Sequence, residues 1–427
     1  MLHRTTALAL TLAGACTMTL ADAPEPLPPI DSVEIGPNRE VLVNGEPFLP
    51  IMSWAQNQRN LPEFRSLHFN TFAGSHGGSA AELARAARDA GGYLAMDIAN
   101  AEQIPGNPRV LMWMHRDEPD MPQRPDDDQL ATPDLIEAQR GSEPSGFVPK
   151  QPPAETLQRY QRVRQIDPSR PVAVTFTGHF FELVSGYNPA EREHLYGQYV
   201  QHAEILGFDI YPIYGHGRPA WLNVPAQATE QLVAMGDDAK PVYSFIETSK
   251  GSRWMTYDRQ PDVLPIHTRF QVWGSIIRGA TAIAYFTHAW QPSFSEFAAT
   301  DAMKAELGRL NAQLTRLTGP ILAAETDRRI EMTMPGELEG HFKATEHDGY
   351  LYIFAQNTDL GPGADEAGQF DPIRPRGGTG RFTVEGLAAG TAIEVVDEDR
   401  TITADDGAFA DDFDPLAEHI YRIALDR

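Results

Sequence analysis

Residues 110–120, Val-Leu-Met-Trp-Met-His-Arg-Asp-Glu-Pro-Asp, pass from five apolar side chains straight into charge and proline. A run with no polar face reads as a strand covered on both sides, the condition of parallel sheets. Pro119 cannot continue a ladder and marks a turn. His115, Arg116, Asp117 and Glu118 therefore fall at the strand's C-terminal end, where parallel α/β folds carry their chemistry. Residues 241–248, Pro-Val-Tyr-Ser-Phe-Ile-Glu-Thr, repeat the pattern and end in one carboxylate, Glu247.

Six more runs of this kind lie at 48–54, 70–75, 93–98, 172–177, 205–212 and 282–290. Helical patterns separate most of them. Ser79 caps a helix whose Leu83, Ala87 and Ala90 share a face and which Gly91-Gly92 ends. Pro153 opens another, with Leu157, Tyr160, Val163 and Ile166 inward. Further helices are expected near 226–236 and 265–279. Met303, Leu307, Leu310, Leu314 and Leu317 mark one face of a long final helix. Strands alternating with helices at this spacing predict a (β/α)8 TIM barrel, a fold of ~250 residues. The third helix is hard to find, because 100–109 is short and contains Pro105 and Pro108.

The flanks read differently. Residues 22–31 are Pro-rich and predict a tether, and Asn44-Gly45 between alternating apolar residues predicts a hairpin. Residues 121–152 are rich in Pro and Asp without periodicity; they leave the active face directly after Glu118 and predict a substrate-shaping loop. Beyond residue 328 apolar alternation at 337–345, 350–357, 380–385, 392–397 and 418–425 predicts a small antiparallel β-sandwich. The expected organisation is a signal peptide over 1–21, tether and hairpin over 22–47, barrel over 48–323 and sandwich over 324–427.

In the first 21 residues a charged start precedes a short apolar core at 5–15, the pattern of an export signal and too short for a permanent span. Cys16, the only cysteine of the chain, follows Leu12-Ala-Gly-Ala15. That resembles a bacterial lipoprotein cleavage box, with Leu one place further upstream than usual. Lipidation of Cys16, with attachment to a membrane, and cleavage after Ala21 or Ala23 to a periplasmic or extracellular protein are both open. One cysteine allows no internal disulfide. A net charge of −24 over 427 residues disfavours nucleic acid and anionic membrane surfaces as partners. Gly-x-Ser-x-Gly and His-Glu-x-x-His are absent from the sequence, and no cofactor or metal is implied. The sequence leaves the oligomeric state open.

In order and spacing these pieces resemble the clan A glycoside hydrolases, near families 42 and 5. The resemblance rests on Asp117-Glu118-Pro119 after strand four, Glu247 after strand seven, the opening 43–51 and the run 107–114, and it covers residues 40–320. It implies a retaining hydrolase of oligo- or polysaccharides, with Glu118 as acid/base and Glu247 as nucleophile some 5–5.5 Å away. The clan usually has asparagine before the acid, whereas this chain has Asp117. Asp-Glu also occurs in hexosaminidase-like barrels, where the aspartate orients an acetamido group that acts as nucleophile. A barrel that binds carbohydrate without cleaving it is the third reading.

The remaining candidates sit at strand ends. Tyr211 is expected to hydrogen-bond Glu247, as the clan's strand-six tyrosine does. Trp54 and Trp290 offer flat faces for sugar stacking, and Trp254 and Tyr257 an outer subsite. His115, His179 and His288 end strands four, five and eight, and His76 and Asp97 lie near two others.

Overall fold

The computed structural model describes residues 24–125 and 143–425. Three short antiparallel strands come first: β1 (Val33–Ile35), β2 (Val41–Val43) and β3 (Glu46–Phe48). The β2–β3 hairpin turns at Asn44 and Gly45, both at positive φ (55° and 84°). Such a turn suits Asn-Gly, since both central residues must enter the left-handed region.

Eight parallel strands then close into a barrel: β4 (Ile51–Trp54), β5 (Thr71–Ala73), β6 (Tyr93–Asp97), β7 (Val110–Met114), β10 (Val172–Thr177), β11 (Ile205–Asp209), β12 (Val242–Glu247) and β13 (Ala282–Phe286). Between β7 and β10 a two-stranded ribbon, β8 (Pro122–Gln123) with β9 (Val148–Pro149), ties together the ends of the loop over 121–152; residues 126–142 of that loop lie outside the described residues. The barrel interior is filled by Met52, Ala73, Tyr93, Ala95, Met112, Met114, Tyr243, Phe245 and Ala284. Small residues opposite large ones make this possible. A Cβ on Gly207 would lie 2.0 Å from Cζ of Tyr243, whose hydroxyl meets Thr175 Oγ1 at 2.7 Å.

Among the described residues the strands are clad by α1 (Leu61–Ser66), α2 (Ala80–Ala90), α3 (Pro153–Ile166), α4 (Pro189–Tyr199), α5 (Val224–Met235), α6 (Pro265–Ile277) and α7 (Asp301–Arg316). Ser79 and Glu82 form a capping box at the start of α2, and Gly91 at φ 79° ends it. Met303, Leu307, Leu310 and Leu314 are fully buried along α7. Helix α4 had no clear periodic signal in the sequence. Between β6 and β7 there is only a 3-10 turn, Ile98–Asn100. The two prolines there prevent a helix.

The Pro-rich stretch is not a free tether over its described part. Leu27 and Ile30 donate N–H bonds to the carbonyls of Gly91 and Pro108, and Arg109 bonds the Leu27 carbonyl at 2.8 Å. Ile30 is buried and, with Val41 and Val43 of the small sheet, packs on Tyr93, Leu111, Ile205 and Ala282. The barrel's N-terminal mouth is thereby plugged, and the C-terminal mouth is left for chemistry.

The C-terminal strands form two packed sheets. One contains β14 (Ile330–Thr333), β17 (Gly378–Val384) and β20 (Ala408–Phe413). The other contains β15 (Gly340–His347), β16 (Tyr350–Asn357), β18 (Ala392–Val395), β19 (Arg400–Thr403) and β21 (Glu418–Ala424). Phe382, Phe409, Phe413 and Tyr421 fill the space between them. The chain is thus the expected TIM barrel followed by a β-sandwich. The sandwich docks on α6, where Trp273 stacks on Phe354 with ring centroids 5.9 Å apart.

Candidate active site

The turn after β7 is fastened to the next strand at several points. His115 N–H bonds the Ala173 carbonyl at 2.9 Å, and Glu118 N–H bonds the Thr175 carbonyl at 3.2 Å. Asp120, completely buried, accepts from Thr177 N at 2.9 Å, Thr177 Oγ1 at 2.7 Å and the Tyr196 hydroxyl at 2.5 Å. Tyr187 donates to the Asp120 carbonyl at 2.6 Å. Held this way, Glu118 adopts φ 52°, a left-handed conformation unfavourable for a side chain of its size. Strain of this kind persists where the surroundings over-determine it, as at functional sites.

Above the barrel lies a cavity of about 570 Å³. Asp117, Glu118 and Asp209 line it together, and the Asp209 carboxyl is hydrogen-bonded to the Glu118 side chain. Burial, with Glu118 adjacent, pushes Asp117 up to about 7, while Lys150 opposes the shift. Burial, with Glu118 and Asp117 beside it, raises Asp209 well above the usual carboxylate range. Burial also pushes Asp120 up to about 7. Like charges packed in a dry place cannot all ionise, so the group retains protons near neutrality. Lys150 Nζ donates to the Asp117 carbonyl at 2.9 Å, which ties the far end of the 121–152 loop to the site.

Most of the expected residues meet here. Trp54, His76, Asp97, His115, Tyr211, Trp254, His288 and Trp290 all line the cavity. Tyr211 lies among Asp209, Asp117 and Glu118, whose charges add to burial in raising its hydroxyl's pKa. Trp254 and Trp290 are the exposed rim, with 58% and 37% of their surface open. His115 is buried, its Nε2 2.8 Å from the His202 carbonyl, and burial pushes it down to about 4. Burial and nearby His76 bring His288 to about 4 as well. His76 pairs instead with Glu296, Nδ1 to Oε1 at 3.1 Å. Among the described residues no group of side chains is arranged to hold a metal ion.

Three expectations fail on position. Glu247 does not line the cavity and has no exposed surface. Its carboxylate accepts from Ile213 N at 3.1 Å, Tyr214 N at 2.6 Å and Gln271 Nε2 at 3.0 Å. Burial pushes it up to about 7, against the pull of those donors. The chain after β11 folds its amides onto Glu247 and covers its carboxylate. Tyr211 consequently has the floor carboxyls, not Glu247, as its neighbours. His179 is also outside the cavity; its Nδ1 accepts from Gly186 N at 2.9 Å and braces a loop. Cys16 lies outside the described residues.

Sequence reasoning missed Asp209, Lys150 and Arg253 as members of the site, and Asp120 as its anchor. Asp209 carried the signal already used for Glu118, a carboxylate closing an apolar strand, Ile205–Asp209. Lys150 and Arg253 sit on loops with no such pattern.

No family model matches the sequence, and no curated protein matches it. Solved structures do. One described as a glycoside hydrolase aligns over 92% of this chain and 97% of its own, with TM-score 0.53 at 10% identity. The shared feature is the fold. A family 30 endoxylanase from Clostridium papyrosolvens covers 95% of this chain and 98% of its own, with TM-score 0.46 at 11% identity. An alpha-amylase from Geobacillus thermoleovorans covers 88% and 99%, with TM-score 0.44 at 8% identity.

Proposed function

We propose that the chain is a glycoside hydrolase acting with retention on an N-acetylated sugar, with Glu118 as acid/base and the substrate's own acetamido oxygen as nucleophile. The observation behind this reading is the meeting of Asp117, Glu118 and Asp209 on one cavity floor, while Glu247 is engaged by amides outside it. Glycosidic cleavage needs a proton for the leaving oxygen and support for an oxocarbenium-like centre. Glu118 donates that proton. The acetamido oxygen closes on the anomeric carbon, and Asp117 accepts the acetamido N–H and balances the charge of the bicyclic cation. Glu118, now a carboxylate, takes a proton from water as it opens the ring, and the configuration is retained. Asp209 keeps a proton on its hydrogen bond to Glu118. Tyr211 points a neutral hydroxyl into the same space, and Trp54 and Trp290 supply faces for stacking.

Export by residues 1–21, with or without a lipid on Cys16, belongs to the proposal; mass spectrometry of the mature N-terminus checks it. The function is tested by turnover on a panel of aryl glycosides that includes aryl N-acetylhexosaminides. Glu118→Gln is expected to lower kcat by about 10²–10⁴ on a substrate needing protonation. A thiazoline analogue of the bicyclic intermediate is expected to inhibit. Full activity of Glu118→Gln would overturn the assignment.

A further inference from the structure

The cavity separates charge by depth. Its carboxyls, Asp117, Glu118 and Asp209, are half-buried on the floor, while Arg116 and Arg253 are exposed at the mouth and Lys150 stands between. Among the described residues none of these three cations has a carboxylate within ion-pairing distance, although the chain carries 59 acidic residues to 35 basic ones. Arg253 stands against the rim aromatics, its Cζ 5.6 Å from the Trp254 ring and 5.1 Å from the Trp290 ring. Cation–π contacts of this kind hold the guanidinium at the rim while its N–H groups can still hydrogen-bond a ligand. Burial, with Glu118 and Asp117 beside it, holds a proton on Asp209 near neutrality.

From this arrangement we infer that the site takes an anionic saccharide, with Arg253 and Arg116 receiving a carboxylate or sulfate on a residue next to the one cleaved. A guanidinium edge matches either group bidentately, whereas a neutral sugar hydroxyl leaves its charge unanswered. The inference rests on the reading of the cavity as a saccharide site. Together with the acetamido chemistry, it specifies a chain in which an N-acetylhexosamine adjoins an acidic sugar.

The test uses the full chain carrying Glu118→Gln, so that ligands bind without turnover, and calorimetry at low and moderate salt. The probes are chitotetraose, a hyaluronan tetrasaccharide, a chondroitin 6-sulfate tetrasaccharide and trigalacturonate. At least one acidic probe is expected to bind about 10-fold or more tightly than chitotetraose and to weaken as salt rises. Adding Arg253→Gln should remove that preference, and Arg253→Lys should restore part of it. Comparison of the two tetrasaccharides containing uronate separates carboxylate from sulfate recognition. Equal or tighter binding of chitotetraose, a preference indifferent to Arg253→Gln, or binding of none of the four overturns the inference. Parallel incubation with the native chain tells the two claims apart. Cleavage of chitotetraose alone supports the hydrolase and sinks the anionic substrate. Arg253-dependent binding of an acidic probe that is never cleaved does the reverse.

Discussion

Replacing Glu247 tests whether its position determines its role. Oε1 accepts from Ile213 N and Gln271 Nε2, and Oε2 from Ile213 N and Tyr214 N. In Glu247→Gln the new amide nitrogen faces Gln271, whose own Oε1 has no partner and can turn to accept it. Only the Ile213 bond is then weakened, a cost of about 1 kcal/mol. Glu247→Ala instead strands two backbone N–H groups in a dry place, a cost of about 2–6 kcal/mol. For a chain of this size each kcal/mol lowers Tm by roughly 1–2 °C. The expected series is therefore a drop of roughly 1–2 °C for Gln and roughly 2–12 °C for Ala. With both variants folded at the assay temperature, kcat/KM on the best aryl glycoside should stay within about 3-fold of the parent, because no reacting group is lost. A nucleophile would behave otherwise, since its removal takes several kcal/mol from the transition state and about 10³-fold or more from the rate. Unchanged Tm, a rate loss of that size, and rescue by azide as a glycosyl azide would refute the reasoning and restore Glu247 to the chemistry.

Asp117 must be ionised to receive the acetamido N–H, and its carboxyl is pushed up to about 7, so kcat/KM should fall as pH drops through about 7; a pH–rate profile flat down to pH 5 would count against its role. The same shift acts oppositely on stability: the folded chain prefers protonated Asp117, and the stability this lends at low pH is lost as pH rises through about 7. Asp120→Asn cannot accept all three donors that hold the carboxylate, at a cost of about 1–3 kcal/mol. It should lower kcat more than it raises KM as Glu118 loses its anchorage, and steady-state kinetics with unchanged kcat would contradict that. Gly207→Ala drives a methyl into the Tyr243 ring and should cost about 1–3 kcal/mol or more. Urea denaturation with an unmoved midpoint would show that the barrel interior is looser than described.

Local chemistry in the sequence was enough for the architecture. A strand with no polar side must be covered on both faces, so the eight apolar runs implied a closed parallel barrel before any pairing was known. The same logic put Glu118 at the C-terminal mouth, because a charged turn after a buried strand has nowhere else to go. It put Trp54 and Trp290 at the same cavity in the same way. Helix α4 and the plug over 24–31 were not legible, since the first lacks a periodic face and the second is held by backbone groups that no side-chain pattern reports.

What only the tertiary structure decided is where each strand-end carboxylate points. Alternation after Tyr243 and Phe245 directs Glu247 toward the barrel axis, and the sequence contains nothing against it. The amides of Ile213 and Tyr214, from a different unit of the barrel, cover that carboxylate. Asp209, in sequence only the end of one more strand, stands beside Glu118 instead. A side chain's role at a barrel mouth depends on neighbours distant along the chain, and their amides and charges are set by packing, not by the residue's own surroundings in sequence.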